Sequence, residues 1–141
     1  MFCDIEGKLN DPLVRHIISC SLFDQSAEGV DKALKKYPGE QFFAWIENGE
    51  PLGICGFRPL QDKVEICHIA VVEHARGRGI GNSIVTALRE KYAMALEAET
   101  DDDAVGFYRK CGFGATVLYK YFCGQKYRRY TCVLPAPGTN N

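Results

Sequence analysis

The chain has almost no net charge, no long apolar run, no paired-cysteine spacing and no internal repeat, and each absence removes a class of protein. Its 17 Lys and Arg stand against 18 Asp and Glu, a net charge of -1, so no global field draws it to nucleic acid or to an anionic membrane. No stretch approaches the roughly 18 apolar residues of a membrane span. The N-terminus, Met1-Phe-Cys-Asp-Ile-Glu, lacks the basic segment and apolar stretch of a secretion signal. The seven cysteines (Cys3, Cys20, Cys55, Cys67, Cys111, Cys123 and Cys132) are odd in number and include no C-x-x-C pair. That spacing argues against a disulfide framework and a zinc site, and for a soluble protein in a reducing cytoplasm. At 141 residues, 46 % hydrophobic and 25 % charged, the chain suits one ordinary globular domain, since single cores commonly span about 100 to 200 residues.

Asp11-Pro12 is a helix cap followed by proline at the first helical position, and Leu13, Ile17, Ile18 and Leu22 recur at helical spacing after it. A second helix is predicted over 26–37, stopped by Pro38-Gly39. Residues 41–47 and 52–60 form a predicted hairpin about the tight turn Asn48-Gly49. The apolar continuity of 63–72 suggests a central strand covered on both faces. A helix over 80–92, a short strand over 94–98 and a short helix over 103–110 ending at Cys111-Gly112 follow. Strand, helix, strand makes the strands at 63–72 and 94–98 parallel neighbours. A last hairpin, 116–122 and 126–134, turns at Gly124, and 135–141 reads as a frayed tail after a domain of 1–134. The class is mixed α/β (α+β).

Between that central strand and the long helix stands Arg76-Gly77-Arg78-Gly79-Ile80-Gly81-Asn82. Glycines let backbone approach an anion closely, first-turn N–H groups lack intrahelical partners, and the helix dipole adds positive charge where they point. The two arginines add fixed charge. A dinucleotide fingerprint fails because its third glycine falls on Asn82, and a P-loop fails because no Lys-Ser or Lys-Thr follows. The run Arg76-Gly-Arg-Gly79-Ile-Gly81, preceded by Ile69-Ala70-Val71, resembles the acyl-coenzyme A signature of the GCN5-related N-acetyltransferase (GNAT) family. Downstream, Ala104-Val-Gly-Phe107-Tyr108-Arg-Lys-Cys-Gly112-Phe113 is similar to that family's Ala-x-x-Phe-Tyr-x-x-x-Gly-Phe segment.

The resemblance implies a single domain with a mixed sheet of about six to seven strands, splayed between the central strand and the next, and about four helices. It implies that backbone N–H groups of residues 76–82 hold the pyrophosphate of acetyl-coenzyme A, and that the strand edge at Ile69, Ala70 and Val71 pairs with pantetheine. Tyr108 matches the family's proton donor to the departing thiolate; a phenol with pKa about 10 stays protonated where a thiol near 8.5 leaves. The family's frequent asparagine ahead of that tyrosine is Asp101 here, which accepts but cannot donate when ionised.

Glu65 stands before Val71 at the spacing at which the histone acetyltransferase branch places its base, acting through a water. Alternation puts Glu65, Cys67, Ile69 and Val71 on one face unless a bulge resets the phase. His68 is the rival base, against a packed core histidine. Adjacent Cys67 and His68 should point to opposite faces, which argues against a thiol nucleophile. The acids Asp101, Asp102 and Asp103 with Glu97 and Glu99 serve as helix caps, or as an acidic lip for a cationic amine such as a polyamine, aminoglycoside, peptide N-terminus or lysine. Lys126, Arg128 and Arg129 are expected on a solvated face. The expected activity is direct acetyl transfer from acetyl-coenzyme A to a primary amine without metal, nucleic acid or membrane, and the sequence admits a homodimer. A non-catalytic acyl-coenzyme A sensor is the alternative.

Overall fold

The computed structural model describes residues 1–138. Seven strands form one sheet in the order β1-β2-β3-β4-β5-β7-β6: β1 Phe2–Asp4, β2 Gln41–Glu47, β3 Glu50–Pro59, β4 Lys63–Val71, β5 Ala95–Thr100, β6 Gly114–Phe122 and β7 Gln125–Leu134. Neighbours are antiparallel except β4 and β5, which are parallel, as the intervening helix requires. The helices are α1 Pro12–Ser19, α2 Ala27–Lys36, α3 Ile80–Tyr92 and α4 Val105–Lys110.

Local chemistry accounts for most boundaries. Asp11 caps α1 by accepting from Leu13 N–H at 2.9 Å with Pro12 behind it, and Ser26 caps α2 by accepting from Gly29 N–H at 3.1 Å. The β2–β3 turn carries positive φ at Asn48 (53°) and Gly49 (78°), and the β6–β7 turn repeats this at Cys123 (50°) and Gly124 (76°). These are the left-handed pairs that match the twist of a hairpin. The three-residue β1 lies outside the sequence prediction, being too short for any periodicity, and exists by pairing with β2. Pro135 and Ala136, expected to fray, give their carbonyls to Arg89 at 2.6 to 3.2 Å. Residues 139–141 of that expected tail lie outside the described residues.

Both faces of the sheet are covered. A Cβ added to Gly53 would strike Ile84 and Ile80, so the face bearing Gly53, Cys55 and Phe57 carries α3. Phe57, Ile84, Leu88 and Leu96 are wholly buried there. Tyr37, at the end of α2, lies against Arg58 and His68, so the opposite face lies toward α2. No helix among the described residues is long and apolar enough to cross a membrane.

Candidate active site

Two irregularities of β4 create the site. Gly56 pairs with His68, but the next residue, Phe57, pairs with Ile66, so Cys67 is an extra residue and β4 is bulged. The bulge resets the alternation. Glu65, opposite Arg58, shares the α2 face with His68 and Ala70, whereas Ile69 and Val71, opposite Cys55 and Gly53, fall on the α3 face. The single face expected for Glu65, Ile69 and Val71 is therefore corrected.

The second irregularity is the parting of β4 from β5. Their ladder ends at Ile66 and Ala98, although β4 continues to Val71 and β5 to Thr100. Val72 N–H donates to Leu52 at 2.8 Å, which fixes the hydrogen-bonding phase of the β3–β4 ladder. His68 and Ala70 then turn their main-chain groups to β3, while Ile69 and Val71 turn theirs to the edge where β5 has departed. Arg76 Nε donates to the Val71 carbonyl at 3.0 Å, leaving Ile69 and the Val71 N–H facing the gap. Ala70, expected in the same role, has its backbone committed to β3.

The glycine loop opens beside that gap. Gly77 (φ 81°) and Gly79 (φ 79°) are both left-handed, and Gly79 starts α3 without any side-chain cap, so the first N–H groups of α3 remain available. Arg76, Arg78 and Asn82 are exposed; Arg78 pairs with Glu47 at 2.9 Å. Ile80 is buried in the core, so only its backbone can serve a ligand. Gly81 also has a packing duty beyond the one expected: a Cβ there would lie 2.5 Å from Phe107 Cε1. The two sequence motifs thus meet physically, with α4 seated on the start of α3.

That contact sets Tyr108. Its ring is 6 % exposed and packs edge-on against Phe107 and Phe113, with centroids 5.2 Å apart in each case. Burial first, then the nearby thiols of Cys55 and Cys132, pushes the phenol well above its usual range, so it stays a proton donor at neutral pH. Glu65, on the other face, accepts from Arg58 Nη2 at 3.2 Å on both oxygens and has a side chain 30 % exposed. Burial, then the charges of Glu40 and Glu65, pushes the Cys67 thiol up to about 12. The bulge voids the alternation argument against a Cys67–His68 dyad, but the chemistry still opposes one. The thiol is held protonated, and His68 Nδ1 lies 2.7 Å from Glu40.

Sequence reasoning missed that Glu40–His68 pair. Their side chains are 1 % and 7 % exposed, Phe42 stacks on the imidazole, and Glu40 Oε1 and Arg58 Nε are buried without partners. Gly56 provides the room, since a Cβ there would collide with Glu40. The acidic run resolves into a turn contact ahead of α4 and ion pairs. Asp101 Oδ1 accepts from the N–H groups of Asp103 and Ala104 at 3.1 and 3.0 Å, and Asp102 accepts from Arg128 at 2.9 Å and Tyr130 at 2.7 Å. Lys63 holds Glu97, while Lys120 and Arg129 hold Glu99. Arg128 and Arg129 are thus partners of the acids rather than a merely solvated face, and the acidic lip is largely neutralised.

Residues 12–113 match the family model described as the Acetyltransferase (GNAT) family. An uncharacterized N-acetyltransferase encoded in the lysA 3' region of Bacillus methanolicus is 32 % identical over 92 residues, covering 62 % of this chain and 76 % of the relative. The ribosomal-protein-S18-alanine N-acetyltransferase of Escherichia coli superposes with a TM-score of 0.75 at 18 % identity, over 99 % of this chain and 96 % of that one. An aminoglycoside 6'-N-acetyltransferase complexed with coenzyme A superposes with a TM-score of 0.72 at 17 % identity, over 100 % and 99 % of the two chains. A seven-stranded sheet parted after Ile66, an uncapped glycine start to α3 and a match over most of the chain lead to one assignment: this protein belongs to the GNAT family and is an acetyl-coenzyme A-dependent acetyltransferase.

Proposed function

We propose that the protein transfers the acetyl group of acetyl-coenzyme A to a primary amine by direct attack in a ternary complex. The observation that carries this reading is the parting of β4 from β5 after Ile66, with Glu65 next to that point on the α2 face and Tyr108 on the α3 side, beside Cys55 and held through Phe107 against Gly81. The N–H groups of Gly77, Gly79 and the first turn of α3 bind the pyrophosphate, with Arg76 and Arg78 supplying charge. Pantetheine lies along the gap and takes its amide partners from Ile69 and Val71. The amine enters from the face of Glu65, which accepts its proton through a water, and attacks the thioester carbonyl. The Val71 N–H stabilises the developing oxyanion, and Tyr108 donates its proton to the departing sulfur. Atoms balance: the C–S bond breaks as the C–N bond forms, and the ammonium loses two protons, one through the water to Glu65 and on to solvent before attack, and one from the nitrogen after it, which replaces the proton that Tyr108 gives to the thiolate. Asp101 is engaged through Oδ1 with the N–H groups of Asp103 and Ala104 in the turn before α4.

His68 stays in reserve as packing, because Glu40 holds Nδ1 and Phe42 covers the ring. Seven free cysteines support the reducing, cytoplasmic setting. The acceptors named for the Escherichia coli and aminoglycoside relatives both present primary amines, which supports that class. The test is coenzyme A release, followed by thiol detection, across a polyamine, an aminoglycoside, a peptide with a free N-terminus and a lysine peptide. Release with at least one amine, lowered in Glu65→Gln, is expected. Tight acetyl-coenzyme A binding with no release on any amine would instead favour a sensor.

A further inference from the structure

Outside the acetyl-transfer site, one cluster joins two elements distant in sequence. His16 and Cys20 stand one turn apart at the end of α1, and Glu73 stands in the turn Glu73–Ala75 that leads into the glycine loop. His16 Nε2 lies 2.9 Å from Glu73 Oε1, Cys20 Sγ lies 3.4 Å from the same oxygen, and all three donor atoms fall within 4.8 Å of one another. Donors around a tetrahedral zinc, bonded at about 2.0 to 2.3 Å, sit about 3.3 to 3.8 Å apart. The observed trio needs shifts of only a few tenths of an ångström to about 1 Å, within reach of side chains half exposed at His16 and Glu73.

We propose that His16, Cys20 and Glu73 bind a zinc ion, with water at the fourth position. The donor set selects the metal: a thiolate disfavours magnesium and calcium, while nitrogen, sulfur and oxygen together suit zinc. Charge also balances, since thiolate and carboxylate together carry two negative charges against a divalent ion, the thiol proton passing to solvent on binding. Arg76, the cation beside Cys20, is anchored on the Val71 carbonyl. The ion would fasten α1 to the turn that precedes residues 76–82.

The test uses the full chain with a non-chelating reductant and no coenzyme A, so its outcome is independent of acetyl transfer. Cobalt is titrated in and then displaced by zinc. One saturable equivalent with a thiolate-to-cobalt charge-transfer band is expected, together with a Tm that rises on adding zinc. Cys20→Ser should abolish the band and the Tm rise, and His16→Gln, an exposed change that leaves the core intact, should weaken zinc binding by about tenfold or more. No saturable binding in the unaltered chain, a band surviving in Cys20→Ser, or undiminished binding in His16→Gln would each overturn the site.

Discussion

Gly81 tests whether the two motifs are coupled through packing. A methyl group there would sit 2.5 Å from Phe107 Cε1 and 3.0 Å from Cζ, where comfortable carbon contacts lie at about 3.5 to 4.0 Å. The ring must retreat by about 1 Å, and it cannot do so alone because its neighbour Tyr108 packs against it at 72°. Overpacking of this kind costs about 1 to 3 kcal/mol, offset by up to about 1 kcal/mol that alanine gains over glycine in a helix. Gly81→Ala should therefore lose about 1 kcal/mol, or about 3 to 5 °C in Tm. In a Phe107→Leu background the obstruction is gone, and the same change becomes neutral or stabilising. Urea denaturation of the four proteins of this cycle should give a coupling of about 1 to 2 kcal/mol. Because Tyr108 moves with Phe107, kcat of Gly81→Ala should also fall by about tenfold to a hundredfold. Additive stabilities, within about 0.3 kcal/mol, would refute the packing role of Gly81.

Tyr108→Phe keeps the buried ring and removes the hydroxyl, so kcat should drop by about 100-fold or more while the Tm and the Kd for acetyl-coenzyme A stay put; a kcat within a factor of two of the parent would remove Tyr108 as the proton donor. Glu40→Ala leaves His68 buried without its partner and should cost about 3 to 5 kcal/mol in urea unfolding; a loss under about 1 kcal/mol would mean the pair is not sealed in the core. Stability should fall on the alkaline side. Cys55, Cys67 and Tyr108 bind their protons more tightly when folded, because burial raises each of them. Their contribution is complete below the unfolded thiol value near 9 and is lost as pH rises through the folded values, about 12 for Cys67. Urea midpoints flat from about pH 8 to about pH 11 would contradict this.

Most elements were legible because local chemistry fixes them. Asp11-Pro12, Asn48-Gly49 and Gly124 are a cap and turns whose side chains or φ values do the same work in the structure. The glycine loop and Tyr108 were legible as motifs. What escaped depends on contacts between distant residues. A bulge at Cys67 leaves no mark on the residue pattern, yet it decides which face Glu65 takes. Glu40 meets His68 through the register of β2, β3 and β4, and Gly56 is the sole hint of the space they need. His16 and Cys20 meet Glu73 across the fold, so the search for C-x-x-C spacing could not find them. Gly81 was legible as part of a phosphate cradle, but its contact with Phe107 was not, because that packing partner lies on another helix.

The central claim is direct transfer across the gap between β4 and β5, and intact-mass spectrometry tests it most directly. The protein is incubated with acetyl-coenzyme A alone and then with an accepted amine. The account predicts an unmodified protein before the amine is added, and acetylated amine in equal amount to released coenzyme A afterwards. A protein carrying one acetyl group that disappears when the amine arrives would contradict it, and would move the chemistry to an enzyme nucleophile.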